Sequence, residues 1–267
     1  MESNLAAQLA KRHGVPTVDL RGFTFLDLDE PRFVRMIVEE SRAGRGGWVV
    51  TPNADIVRLA DQNPDIYTMV QSADALIADG MPLVWATRLQ GTPLSGRVCG
   101  SDLTLSLPVA AAEAGLSIYL LGGAGDTGAE TARILCERSP NLEVAGTYSP
   151  PFGFESNPDE IDAMFSRIAE AEPDVVFVAL GFPKAERLIQ RLRAARPTAW
   201  WLGVGAAFDF ISGRYTRAPV WAQRAGLEWL FRLQQDPERL VDRYIRRDLP
   251  FVARLFLGAL RQRIAKP

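Results

Sequence analysis

Asp174-Val-Val-Phe-Val-Ala-Leu180 is the stretch on which the fold turns. Its apolar residues run without alternation, so a strand built from it is covered on both faces. Similar short runs stand on either side of it: Trp48 to Thr51, Ala75 to Ala78, Ser117 to Leu121, Val144 to Tyr148 and Ala199 to Val204. Helical segments separate them, including Ala54 to Asn63 after the Pro52-Asn53 loop and another beginning near Thr127. Doubly apolar strands alternating with helices predict an α/β fold, a largely parallel sheet flanked by helices. Ligands of such sheets bind beyond the carboxyl ends of the strands. The loops at Thr51–Asn53, Asp79–Gly80, Gly122–Gly125, Gly181–Lys184 and Gly205–Asp209 are therefore expected at one edge.

The 267 residues are 47% apolar and 23% charged, the composition of a globular chain. A net charge of −2 conceals a division. From Arg214 onward, twelve Arg or Lys face five Asp or Glu, whereas residues 1–213 hold 18 basic and 27 acidic side chains. The expected organisation is an α/β domain over 1–213 and a basic helical appendage over 214–267. That asymmetry points to an anionic partner, or to a basic segment docked on its own acidic domain. After Leu249, the helical spacing of Val252, Leu255, Phe256 and Leu260, with Arg254, Arg261 and Arg263 among them, suits an anionic membrane surface. It equally suits a terminal helix packed on the protein or a dimer contact.

Other chemistries find little to build on. Cys99 and Cys136 lack metal or disulfide spacing and read as thiols of a reducing cytosol. His13 alone cannot make a hydrolase triad or a histidine metal cluster, which leaves acid–base work to carboxylates. The opening MESNLAAQLAKRHG lacks the apolar core of a signal peptide, and no run reaches the roughly 18 apolar residues of a spanning helix. A cytoplasmic protein with at most peripheral membrane contact is expected.

Several loop residues can act on a ligand. Asp79, ending a strand at Asp79-Gly80, can take a proton from a hydroxyl or simply form a turn. Asn53 can orient a sugar hydroxyl or cap the next helix. Arg97, in GRVCGSD, can present a guanidinium to a phosphate. Gly122 and Gly123 open GGAGDTG, a strand-to-helix turn able to hold a phosphate on backbone N–H groups, or a tight structural turn. Gly123 to Gly128 matches G-x-G-x-x-G, but no acidic residue ends a second strand about twenty residues later, as dinucleotide binding requires.

The segments TPNADIVRLA, IADGMPLVWATRLQGTPLSGRVCGSDL, YLLGGAGDTGAETA, GTYSPPFGFE, VALGFPKAERLI and GVGAAFDFISGRYTRAPVWAQRAGLEWLFRLQQDPERLVDRY occur in that order. Together they resemble the WecG/TagA/CpsF family of bacterial glycosyltransferases (glycosyltransferase family 26), over about residues 15 to 247. The resemblance implies a Rossmann-like α/β domain with a helical C-terminal appendage, and an inverting, metal-independent transfer of sugar from a UDP-sugar donor to a polyprenyl-diphosphate-linked saccharide, without cofactor. The setting it implies is cell-surface polysaccharide synthesis at the inner face of the cell membrane, by a protein that can self-associate and has no nucleic-acid partner.

By the same resemblance, Asp79 is the general base, Thr51 and Asn53 line the acceptor or donor pocket, and Arg97 joins the site. Arg217, Arg232, Arg239 and Arg243 would hold the donor diphosphate, although Arg232 also stands one helical turn from Glu228 as an ion-pair partner. Lys184 and Glu186 lie in Pro183-Lys184-Ala185-Glu186, where the family usually shows P-K-Q-E. Ala185 removes a polar side chain, so donor identity transfers less readily than fold. Lys184 and Glu186 also fit a solvated helix start. The competing readings are a nucleotide-dependent oxidoreductase, from the Gly-rich turn, and a non-catalytic scaffold of polysaccharide assembly, from Ala185.

Overall fold

Val175–Ala179 (β7) is a strand in which every residue is buried, as its unbroken apolar run requires. In the computed structural model, residues 5–265 are described, without the side chains of Leu5, Arg224 and Arg239. Before β7 the chain forms α1 (Leu5–His13), β1 (Thr17–Leu20), β2 (Phe23–Leu26), α2 (Glu30–Arg42), β3 (Gly47–Val50), α3 (Ala54–Gln62), α4 (Pro64–Gln71) and β4 (Ala75–Leu76). It continues through α5 (Met81–Gln90), α6 (Gly100–Ala114), β5 (Ser117–Gly122), α7 (Thr127–Arg138), β6 (Glu143–Tyr148) and α8 (Pro158–Ala171). Beyond β7 come α9 (Lys184–Leu192), β8 (Trp200–Gly203), α10 (Ala207–Ile211), α11 (Val220–Arg224), α12 (Glu228–Gln235) and α13 (Pro237–Val241). A π-helical turn over Asp242–Asp248 then leads into α14 (Leu249–Ala265).

Two compact units divide these elements. One comprises residues 30–50 and 100–214 and holds five strands of the parallel sheet in the order β3-β8-β7-β5-β6. Val175 pairs with Ile118 on one side and Trp200 on the other, which fixes the centre of the register. Trp48, Trp200 and Trp201 are fully buried, and the Trp200 ring N–H donates to the Arg45 carbonyl at 3.0 Å. That bond removes the penalty of burying an indole N–H. Because β5, β7 and β8 are adjacent and parallel, the loops at 122–125, 181–184 and 205–209 leave one edge, as expected. The mixed α/β architecture with a parallel sheet is the fold class read from the sequence.

Residues 1–29, 51–99 and 215–267 make the other unit. Its β1–β2 hairpin was not expected. Arg21 and Gly22 both take positive φ, the geometry of a two-residue turn matched to strand twist. Arg-Gly lacks the Asn or Asp that usually marks such turns, so no local signal exposes it. β4 is shorter than the Ala75–Ala78 run suggests, because neighbouring loops take over its backbone groups. Asp79 N–H donates to the Pro52 carbonyl at 2.9 Å and Val98 N–H to the Ala78 carbonyl at 3.0 Å.

The helical reading of Trp221 to Ile245 is resolved into three short helices and the π-turn. Gly226, at φ 70°, ends the first, and Pro237 starts the third, as expected. α14 follows the predicted helix and packs on α5. Its buried face is Phe251, Leu255 and Ala259, whereas Val252 and Phe256 are half-buried and Leu260 is exposed. Burying Phe251 and Leu255 contributes roughly 1.5–3 kcal/mol each.

Candidate functional site

The Val98–Ala78 hydrogen bond lays the segment Arg97-Val98-Cys99 alongside the end of β4, beside Asp79. Asp79 is half-buried, and the Cys99 thiol donates to its Oδ2 at 3.5 Å. Gly80 takes φ 120°, a conformation closed to ordinary side chains, and so carries the chain from the strand end into α5. Burial pushes the Asp79 carboxyl above its ordinary value. Arg97 and then Arg232 pull it back, Glu228 opposes them, and the Cys99 hydrogen bond favours the ionised form. Desolvation strengthens a carboxylate's affinity for a proton, and the cations near it moderate that gain.

Glu228, the first residue of α12, gathers the cations. Its Oε2 lies 2.9 Å from Arg97 Nη1, and its Oε1 lies 3.2 Å from Arg232 Nη2 and 3.9 Å from Arg217 Nε. Gln223 Oε1 accepts from Arg97 Nη2 at 3.4 Å. Arg232 therefore does pair with Glu228, yet it also acts on Asp79. The ion-pair alternative for Arg232 is the one realised. Three guanidinium groups against Glu228 and Asp79 leave a positive surplus where an anionic leaving group can be met. The sequence reading missed Cys99, Gln223 and Glu228 as site residues. Glu228 was visible only as a partner one turn from Arg232.

Asn53 caps α3, its Oδ1 accepting from Ile56 N–H at 3.1 Å, so the structural alternative is realised. Its Cβ lies near the Gly80 backbone, and its amide donors have no hydrogen bond among the described residues, so they can serve a ligand hydroxyl. Thr51 is buried beside this turn. Arg243 belongs to a separate cluster: its Nη2 contacts Asp55 Oδ2 at 2.8 Å, and Arg58 Nε bonds Asp248 Oδ1 at 2.9 Å. The Arg239 side chain falls outside the described residues.

The sheet edge of the other unit has its own chemistry. Gly122 and Gly123 take φ of 98° and 79°; a Cβ on Gly122 would meet the Ala179 carbonyl oxygen at 2.7 Å. Gly123 N–H is already donated to that carbonyl. Glycine is thus required here by backbone geometry, as the structural-turn reading holds. Arg214, not singled out from sequence, lies over this loop, donating to the Ala124 carbonyl at 3.2 Å. Lys184 pairs with Glu155 and lies 5.9 Å from the ring of the fully exposed Phe152.

Glu186 departs from the solvated helix start that the sequence allowed. It is 4% exposed, packed on Gly203, with no cation on its carboxyl among the described residues, and burial pushes it up to about 7. Ala185 is buried beside it, so the position where the family usually carries Gln faces the interior. Among the described residues no group of acidic, histidine or cysteine side chains is arranged to hold a metal ion. Nor is any helix there long and apolar enough to cross a membrane.

Comparison with known proteins places these residues in context. A relative from Bacillus spizizenii, an N-acetylglucosaminyldiphosphoundecaprenol N-acetyl-beta-D-mannosaminyltransferase, is 37% identical over 195 residues, covering 73% of this chain and 74% of its own length. Residues 18–265 match the family described as glycosyl transferase WecG/TagA/CpsF. The strand-end carboxylate and its arginines all lie within that match, and the chain belongs to the WecG/TagA/CpsF family of glycosyltransferases.

Proposed function

We propose that this glycosyltransferase moves a sugar from a UDP-sugar to a polyprenyl-diphosphate-linked N-acetylglucosamine, in the synthesis of a cell-surface or cell-wall polymer. One observation carries the reading: Asp79, raised by burial, shares a compact unit with Arg97, Arg217 and Arg232 gathered on Glu228. The named activity of the Bacillus spizizenii relative supports the acceptor. In the proposed reaction Asp79 takes the proton of the acceptor hydroxyl as its oxygen attacks the anomeric carbon. The bond from that carbon to the donor diphosphate breaks, its electron pair stays with UDP, and a single displacement inverts the centre. Arg97, Arg217 and Arg232 meet the charge growing on the diphosphate, the task a metal ion performs elsewhere.

Asn53 and Thr51 would orient the acceptor sugar beside the base. The appendage from residue 214 supplies Arg217, Arg232 and Glu228, so it would complete the site as well as rest on the inner face of the membrane. Purified protein incubated with a panel of UDP-sugars and a polyprenyl-diphosphate N-acetylglucosamine tests the reading. A disaccharide-lipid of inverted anomeric configuration is expected from one donor. Release of sugar from none, or transfer with retention, overturns it.

A further inference from the structure

Beside α14 lies a groove of about 710 Å³ lined by Arg58, Gln62, Arg246, Arg247 and Arg254, with Pro250 and Ala253 along it. Four of its seven lining residues are arginines and none is acidic, an arrangement that repels cations and favours an anion. The charges behind it are balanced in the inner layer. Arg58, 5% exposed, is held by Asp55 and Asp248, Arg243 shares Asp55, and Gln62 Oε1 accepts from Arg58 Nη1 at 3.1 Å. The outer layer is not balanced. Asp242 serves both Arg246, at 3.7 Å, and Arg247, at 2.5 Å, while Arg254 has no ion pair among the described residues. Three guanidinium groups against one carboxylate leave a surplus of two positive charges, which suits a phosphate ester.

The helix that carries Arg254 says which phosphate. Leu257 stands one turn beyond Ala253 and Arg254, and Leu260 and Ile264 continue its stripe at helical spacing. These three are 57%, 39% and 83% exposed. A soluble anion has no use for such a stripe, but a lipid places its phosphate in a basic cleft and its acyl region on apolar side chains nearby. The π-turn over Asp242–Asp248 widens the backbone just before α14 and sets Arg246 and Arg247 at the groove.

We infer that this groove is a receptor for the phosphate headgroup of an anionic phospholipid, distinct from the Asp79 site, with Leu257, Leu260 and Ile264 entering the bilayer interface. It rests on the membrane-bound acceptor proposed above and gives the appendage a specific lipid contact. The test is flotation of the full chain with phosphatidylcholine vesicles, with and without phosphatidylglycerol. Wild type is expected to float with the anionic vesicles. The double variant R246Q/R254Q should partition on the order of twentyfold more weakly, since each arginine near an anionic surface is worth roughly a fivefold change.

Thermal midpoints check that the double variant is folded; if it is not, Arg254→Gln alone should still lose roughly fivefold. Equal flotation of wild type and a folded variant overturns the groove. So does calorimetry showing inorganic phosphate bound by the wild type as tightly as the vesicles, which would make it a free-anion site. Flotation is read without turnover. Lipid binding that needs these arginines in a protein that transfers no sugar removes the enzymatic reading alone. Sugar transfer by a protein whose flotation ignores them removes the groove alone.

Discussion

Asp79 and Glu186 are both desolvated carboxyl groups in residues that the sequence singled out, and they have opposite surroundings. Asp79 has Arg97 and Arg232 acting on it, a thiol donating to it, and a third arginine on the same Glu228. Glu186 has only burial and its own backbone, and its carboxyl rises to about 7. Burial raises the proton affinity of each, but only at Asp79 do neighbouring cations and a thiol pull in the other direction. At Asp79 the arginines offset part of what burial does, so its carboxyl stands above its ordinary value by less than burial alone would put it. Glu186, packed on Gly203, has its proton affinity raised by burial to about 7.

The comparison breaks most sharply at Asp79, the proposed base. Asp79→Asn removes the proton acceptor while keeping the shape, and turnover should fall roughly 10²–10⁴-fold. Circular dichroism should be unchanged. Near-normal turnover in a folded variant would take Asp79 out of the base role. Because burial holds Asp79 above the usual carboxylate range, the acid limb of turnover should also lie above that range.

Glu228→Gln tests the cationic side. Arg97, Arg217 and Arg232 lose their shared counter-charge, and breaking a buried pair costs about 3 kcal/mol. Chemical denaturation should show that loss, and turnover should fall with it as the guanidinium groups separate. A variant as stable as wild type would show that Glu228 does not gather them.

Glu186→Gln probes the other carboxyl. The folded protein favours its protonated form, so its contribution is complete below pH 4.5 and is lost as pH rises through about 7. From the shift of 4.5 to about 7, wild type should lose about 3 kcal/mol on this account between those limits. The glutamine variant should show no such slope in denaturation at a series of pH values. Identical slopes would mean that Glu186 is ionised in the fold.

Much of this was legible in the residues. Val175–Ala179 announced a sheet covered on both faces, and the parallel order placed three loops at one edge. The Asp79-Gly80 pair marked a strand end. What stayed hidden depended on contacts distant in sequence. Glu228 meets Arg97 across 131 residues, and nothing local to either predicts it. Arg243 was expected on a diphosphate by resemblance, but an aspartate on α3 engages it. The solvated helix start that the sequence allowed for Lys184 and Glu186 holds at Lys184, which is exposed, and not at Glu186, which α9 buries.

Cys99 gives the smallest and most discriminating change. Its thiol is a weak donor at 3.5 Å, yet it is the one hydrogen bond to the Asp79 carboxylate among the described residues. Cys99→Ala deletes that donor and leaves Arg97 and Arg232 in place. Since the thiol favours the ionised carboxylate, the acid limb of turnover should move to higher pH. The plateau at alkaline pH should fall less than about tenfold, because one weak hydrogen bond is worth about 1 kcal/mol. Cys99→Ser restores a donor of similar size and should return the limb toward wild type. If alanine and serine shift the profile equally, the thiol only fills space, and the arginines alone hold Asp79 ready.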